Sequence, residues 1–266
     1  MSETKMDGAR LRAVDVTVGY DGKIVSRDLS MSVPDGGFTV IVGPNACGKS
    51  TLLRALARLL RPKSGEVVLD GRAITQYGSR EVARRLGLLP QSSAIPESIT
   101  VADLVARGRY PHQGLLRQWT PADEAAVREA LAATSLTELG AWQVDRLSGG
   151  QQQRAWVAMV LAQRTELVLL DEPTTYLDIA HQVELLDLFN RLHQRGHTIV
   201  AVLHDLNQAA RYATHLVAMR DGAIVAQGPP SEVVSAELVE EVFGLPCVVV
   251  PDPVTGTPAV FPRSRP

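Results

Sequence analysis

The stretch Gly43-Pro44-Asn45-Ala46-Cys47-Gly48-Lys49-Ser50-Thr51 constrains this chain more than any other. It carries the spacing glycine, four residues, glycine, lysine, serine that builds a nucleotide phosphate cradle. Before it, Phe38 to Val42 is an apolar run expected to be a buried parallel strand; after it, Leu52, Leu53, Leu56, Leu59 and Leu60 repeat at helical spacing. A turn between strand and helix aims free N–H groups and the positive helix end at any anion it holds. Gly43 and Gly48 let backbone approach phosphate, and Lys49 is placed to reach the β and γ phosphates. The Ser50 hydroxyl suits a magnesium ion bridging those oxygens. A chance glycine-rich turn is the plain alternative, and the two fitting flanks argue against it.

With 266 residues and 45% hydrophobic content, the chain can bury the core of one domain with an inserted subdomain. A formal net charge of −2 offers no broad basic footprint, so no nucleic-acid partner is expected. Met1 to Arg10 is polar, and no run approaches the roughly 18 apolar residues of a membrane span, so the expectation is a protein that stays in the cytosol. Cys47 and Cys247 lack metal-ligand or disulfide-framework spacing.

Val14, Val16 and Val18 alternate with polar residues, as do Leu29, Met31 and Val33 after Asp21-Gly22, which predicts an antiparallel pair. Tyr20 ends the first of these strands, where its ring can stack on an adenine base or simply close a strand. Val67 to Leu69 with Asp70-Gly71 reads as strand and hairpin, and Leu86 to Leu89 as a strand ending at Pro90-Gln91. From Ser92 to about Leu147 the texture turns helical, with helix starts at Thr100 to Asp103 and Thr120 to Asp123. Strands at Leu167 to Leu170 and Thr198 to Leu203 then flank an amphipathic helix from Asp178 to Arg195, stopped at Gly196. A hairpin at Leu216 to Ala226, a short helix at Ala236 to Phe243 and a small hairpin with a loose tail within Pro246 to Pro266 complete the chain. The expected fold is α/β: a P-loop NTPase core with an N-terminal antiparallel β subdomain and an inserted α-helical subdomain at about 92–147.

The second chemical element is Asp171-Glu172, following the apolar run from Leu167. Asp171 can hold magnesium through water, and Glu172 can orient or deprotonate the water that attacks a γ phosphate. Between the two elements lies Leu147-Ser148-Gly149-Gly150-Gln151, whose serine has helix-capping character and whose glycines leave amides open to an anion. With this LSGGQ stretch the chain resembles the nucleotide-binding subunits of ABC transporters, over roughly Leu11 to Gly228. The resemblance implies an ATP-binding domain at 11–230, a small extension at 231–266, and ATP with Mg2+ held by Gly43 to Thr51. It implies a head-to-tail homodimer in which Ser148, Gly149, Gly150 and Gln151 close on the other subunit's γ phosphate. Tyr20 then resembles the adenine-stacking aromatic, Gln91 the glutamine linking magnesium to a transmembrane partner, Asp178 the aspartate crossing the dimer interface, and His204 the switch histidine. The implied catalytic set is Glu172, His204, Lys49 and Gln91, with Ser50, Gln91 and Asp171 at the metal.

Four stretches narrow the resemblance to importer ATPases for ferric siderophores and related iron chelates, with cobalamin and haem importers as neighbours: GRYPHQ at Gly108 to Gln113, QRAWVAMVLAQ at Gln153 to Gln163, PTTYLDIAHQ at Pro173 to Gln182, and LHDLNQAARYA at Leu203 to Ala213. Such a subunit works peripherally at the cytoplasmic face of the membrane, with separate permeases and, indirectly, an extracytoplasmic substrate-binding protein. A soluble ABC mechanoenzyme is the alternative of another class, but the gap from Thr51 to Leu147 holds neither a second cassette nor a long coiled coil. A sensor without turnover would lack Glu172 or His204, and both are present. Ala46 stands where many phosphate loops place glycine, Cys47 is expected to be a small fitting residue rather than a thiolate, and Gly196 should separate His193 from His197.

Overall fold

The computed structural model describes residues 9–20, 22–91, 98–114 and 119–264. Asp21 and the start of the expected helical region, Ser92 to Glu97, lie outside the described residues. The elements run β1 (Leu11–Tyr20), β2 (Lys23–Val33), β3 (Phe38–Val42), α1 (Lys49–Leu56), β4 (Ser64–Leu69), β5 (Arg72–Ala73), α2 (Ser79–Ala83), β6 (Leu86–Leu89), α3 (Val101–Ala106) and α4 (Pro121–Ala133). They continue with α5 (Gly149–Ala162), β7 (Leu167–Asp171), α6 (Ile179–Gln194), β8 (Thr198–Val202), α7 (Leu206–Tyr212), β9 (His215–Arg220), β10 (Ala223–Gly228), α8 (Pro230–Val233), α9 (Ala236–Phe243), β11 (Cys247–Pro251) and β12 (Pro258–Pro262). The chain divides into two compact units, one made of the chain to Gln76 and from Gly196 onward, the other of Tyr77–Arg195.

In the first unit β2, β1, β4 and β5 form an antiparallel sheet, and Leu11 pairs with both Val33 and Leu69. The valine alternation of β1 breaks at Asp15, whose φ of 48° accompanies a shift of register between Ala13 and Val16. The bulge moves Val14 off the face that buries Val16 and Val18, because one extra residue changes the parity of a strand. β10, β9, β3 and β8 lie in that order, with β3 parallel to both neighbours and β10 antiparallel to β9. All five residues of β3 are buried, as befits a strand covered on both faces. At the other end of the chain, β11 and β12 pair antiparallel, Val249 facing Val260.

In the second unit β6 and β7 pair in parallel, Leu86 with Leu167 through Leu89 with Leu170. Helices α3, α4 and α5 enclose a core that includes Leu104, Val105, Leu131, Leu136 and Ala155. The expected helix starts are present: Thr100 Oγ1 accepts the Asp103 N–H at 3.1 Å, and Thr120 forms a capping box with Asp123 behind Pro121. The GRYPHQ stretch is structural here. A Cβ on Gly108 would meet the Met159 carbonyl oxygen at 2.1 Å, so only glycine allows that approach to α5. Arg109 donates through Nε to Asp123 Oδ1 at 2.8 Å and through Nη1 to the Ala162 carbonyl at 2.7 Å, with both ionic side chains under 10% exposed. His112 Nε2 meets the Gln163 carbonyl at 2.8 Å, and burial pushes its pKa below the usual imidazole value. Helix α6 ends at Gln194 with Gly196 at φ 92°, so His193 and His197 share no helix. No helix among the described residues is long and apolar enough to cross a membrane.

Candidate active site

The phosphate loop lies in the first unit, between β3 and α1. A Cβ on Gly43 would stand 2.2 Å from the Met219 carbonyl oxygen and 2.8 Å from Cys47 Sγ, so the turn closes directly on β9. Its far side is fixed by Gly222, whose N–H donates to the Cys47 carbonyl at 3.1 Å. Ala46 has φ 62°, the left-handed backbone that glycine adopts most easily, which accounts for the glycine common at that place. Lys49 is 5% exposed, and its ammonium donates to the carbonyls of Gly43 at 2.9 Å and Pro44 at 2.8 Å. The loop thus holds its single cation on its own backbone, over the mouth of the turn. Burial pushes the Cys47 thiol up despite the neighbouring Lys49 charge, which makes it a small packed residue and not a thiolate. Tyr20 is 40% exposed, and its hydroxyl accepts from Arg54 Nη1 at 3.3 Å, leaving the ring at the surface as stacking requires. His204 follows β8 and is exposed.

The carboxylates lie in the second unit. Asp171 ends β7 and is 1% exposed. Glu172, next to it, has φ 53° and turns out of the strand direction; its Oε2 accepts from Gln91 Nε2 at 2.9 Å and from Thr175 Oγ1 at 3.5 Å. Gln91 and Glu172, two residues assigned separate roles from sequence, are therefore one hydrogen-bonded pair. Ser148 caps α5, with Gln151 N–H donating to its Oγ at 3.3 Å and Gln151 Oε1 accepting from the Ser148 N–H at 3.0 Å. Gly149 and Gly150 are consequently the first residues of a helix, whose opening N–H groups have no intrahelical acceptor. Asp178 caps α6, accepting the His181 N–H at 2.9 Å, and this bond holds its carboxyl below the usual range.

Comparison with known proteins decides the family: the ABC transporter family model matches residues 26–175. The chain belongs to the ABC transporter family. This ABC chain is 58% identical over 258 residues to the ferric enterobactin transport ATP-binding protein FepC of Escherichia coli (strain K12), covering 97% of this chain and 95% of the relative. It is 50% identical over 251 residues to the petrobactin import ATP-binding protein FpuD of Bacillus anthracis, covering 94% and 92%. A dimeric ATP-binding cassette solved in a post-hydrolysis state with ADP and Pi superposes with a TM-score of 0.74 at 25% identity, covering 82% of this chain and 98% of that one. The expected α/β fold and the ABC ATPase reading both stand, and ATP is the nucleotide of the family.

Further residues around the candidate site carry no chemical signal of their own in the sequence. Gln153 Nε2 donates to the Pro173 carbonyl at 3.0 Å and Gln182 Nε2 to the Leu177 carbonyl at 3.0 Å, so α5 and α6 each hold the loop that follows Glu172. His181 Nδ1 adds a 2.8 Å contact to Asp178 Oδ2. Their only sequence signal is membership in the stretches beginning at Gln153 and Pro173, which narrow the family resemblance.

Proposed function

We propose that this chain energises uptake of a ferric siderophore or related iron chelate, working as a homodimer with separate membrane permeases on the cytoplasmic face of the membrane. The hydrolytic part of the reading is carried by one observation: Glu172 is held by Gln91 at 2.9 Å immediately after the buried Asp171. A carboxylate fixed in this way can take the proton of an attacking water while the bond between the γ phosphorus and the ADP oxygen breaks. Lys49 and the N–H groups opening α1 counter the charge on the β and γ phosphates. The Ser50 hydroxyl and the Asp171 carboxylate are hard oxygen donors of the kind Mg2+ prefers, and the 1% exposure of Asp171 suits a charge meant for a cation rather than for solvent. Mg2+ held by such donors would neutralise charge on the phosphates.

Import of an iron chelate is supported by the two siderophore-transport relatives, which match along nearly the whole chain. The dimer is supported by the open helix start after Ser148 and by the dimeric cassette that shares this fold. Cells lacking this protein should lose uptake of radiolabelled ferric siderophore, regain it with wild type and not with Lys49→Ala. Unchanged siderophore uptake alongside lost cobalamin or haem uptake would transfer the assignment to that cargo. For the shared site, mixing inactive Lys49→Ala and Ser148→Arg chains should give turnover above either alone, since a mixed dimer keeps one intact site; no gain in confirmed mixed dimers would count against it.

A further inference from the structure

The C-terminal hairpin β11–β12 takes no part in the site described above, yet one side chain joins it to the segment that carries His204. Asn207, three residues after His204 and in the first turn of α7, uses both ends of its amide on one backbone residue. Its Oδ1 accepts the Val260 N–H at 2.7 Å, and its Nδ2 donates to the Val260 carbonyl at 3.3 Å. The side chain thus mimics a strand residue paired to the outer edge of β12.

That edge is chemically selective. Arg263 N–H donates to the Pro246 carbonyl at 2.9 Å and Asp252 N–H to the Thr257 carbonyl at 2.7 Å, so the odd-numbered positions of β12 and its flanks carry the hydrogen bonds of the hairpin. The even positions Pro258, Val260 and Pro262 face the other way, and the two prolines have no N–H to offer. Val260 therefore supplies the one donor among these three, and Asn207 takes it. Val260 is itself 7% exposed, which seats the hairpin firmly enough to act as a support.

The support is needed because α7 is short. Seven residues are marginal as a helix without tertiary contacts. On the upstream side the end of β8 is fixed by Leu203 N–H donating to the Ile41 carbonyl at 3.2 Å, and Asp205 caps α7 by accepting the Gln208 N–H at 2.8 Å. His204 lies between these two fixed points, and the direction of the second depends on how the first turn of α7 is held.

We infer that Asn207 is a positioning residue for turnover, its amide clamp on Val260 making the C-terminal hairpin a brace for the His204 segment. The inference rests on the reading of His204 as the residue that contacts the γ phosphate. It is tested by steady-state ATPase assays on the full-length protein carrying Asn207→Leu, Val260→Pro, both together, Asn207→Asp, and separately His204→Ala. Val260→Pro removes the donor without changing the sequence of α7, on an edge that already carries proline at positions 258 and 262. Asn207→Leu and Val260→Pro should each lower kcat about three- to tenfold, the scale of one or two neutral hydrogen bonds. KM for ATP should stay within about twofold, because the brace acts on a step after binding. The double variant should be no worse than the weaker single, since both remove one shared interaction. Asn207→Asp, which keeps the acceptor and loses the donor, should fall between. A kcat within twofold of wild type in both single variants, additive losses in the double, or a loss expressed equally in KM would overturn the brace. If His204→Ala keeps wild-type turnover, the reading of His204 fails; if His204→Ala is slow while both brace variants are normal, the brace alone fails.

Discussion

The Arg109–Asp123 pair allows a stability prediction with a sign that depends on burial. Arg109→Met removes the guanidinium from a carboxylate whose side chain is 6% exposed and leaves the Ala162 carbonyl without its 2.7 Å donor. Breaking a buried ion pair from one side costs about 3–5 kcal/mol, because the remaining charge is desolvated without compensation. Asp123 keeps bonds from the Thr120 N–H at 3.1 Å and the Thr120 hydroxyl at 2.7 Å, so the lower end, about 3 kcal/mol, is expected. Arg109→Lys keeps the charge and loses the fork that reaches two acceptors, at a cost of about 1–2 kcal/mol. The decisive variant is Arg109→Met with Asp123→Asn, which preserves a capping side chain and removes the stranded charge; it should be more stable than Arg109→Met alone by about 1–2 kcal/mol. Urea unfolding followed by tryptophan fluorescence is the assay, because all three tryptophans, Trp119, Trp142 and Trp156, belong to the same unit as the pair. A loss below about 1 kcal/mol for Arg109→Met, or further destabilisation by Asp123→Asn, would refute the reasoning.

Three further outcomes are expected. Gly43→Ala, placing a Cβ 2.2 Å from the Met219 carbonyl, should distort the phosphate loop and raise the Kd for ATP at least about tenfold in calorimetric titration, while circular dichroism stays that of wild type. Glu172→Gln should bind ATP normally and lower kcat by about 10²- to 10⁴-fold, because the amide can still accept from Gln91 and can no longer take a proton. Burial lowers the pKa of both His112 and His215 from the usual 6.5, so the unfolded chain binds protons more readily; stability is therefore full above about pH 6.5 and declines as pH falls below it. Unfolding curves between pH 7.5 and 5 should show this decline, and His112→Asn should flatten part of it.

What was legible in the sequence follows the range of the interactions. The phosphate loop could be read from spacing because its function is made by consecutive backbone N–H groups and a helix end. Thr100, Thr120 and Ser148 were legible as caps for the same reason, their partners lying three residues away. The Gln91–Glu172 bond spans 81 positions; Glu172 was legible from its place after an apolar strand, Gln91 only through the family resemblance, and their pairing from neither. The GRYPHQ stretch carried no readable chemistry because, Asp123 apart, its partners are the backbone carbonyls of Ala162 and Gln163 about fifty positions on, which any sequence offers. The bulge at Asp15 escaped the alternation of β1 because a left-handed aspartate costs too little to leave a compositional mark. The C-terminal hairpin was legible as two apolar patches, but its clamp through Asn207 was not.

The loop that begins at Glu172 is held from several sides. Glu172 and Tyr176 have φ of 53° and 67°, and neither is a residue that favours left-handed backbone. Each such position costs about 1–2 kcal/mol, and persists only where surrounding contacts over-determine it. Those contacts are present: Gln153 holds the Pro173 carbonyl, Gln182 holds the Leu177 carbonyl, and Asp178 closes the loop by capping α6. The turn at Glu172 carries its carboxylate out of the line of β7 while Asp171 remains 1% exposed, so adjacent acids face different surroundings. The strain at Glu172 and Tyr176 is therefore maintained by glutamines of α5 and α6 that hold the loop's carbonyls although neither bears a charge.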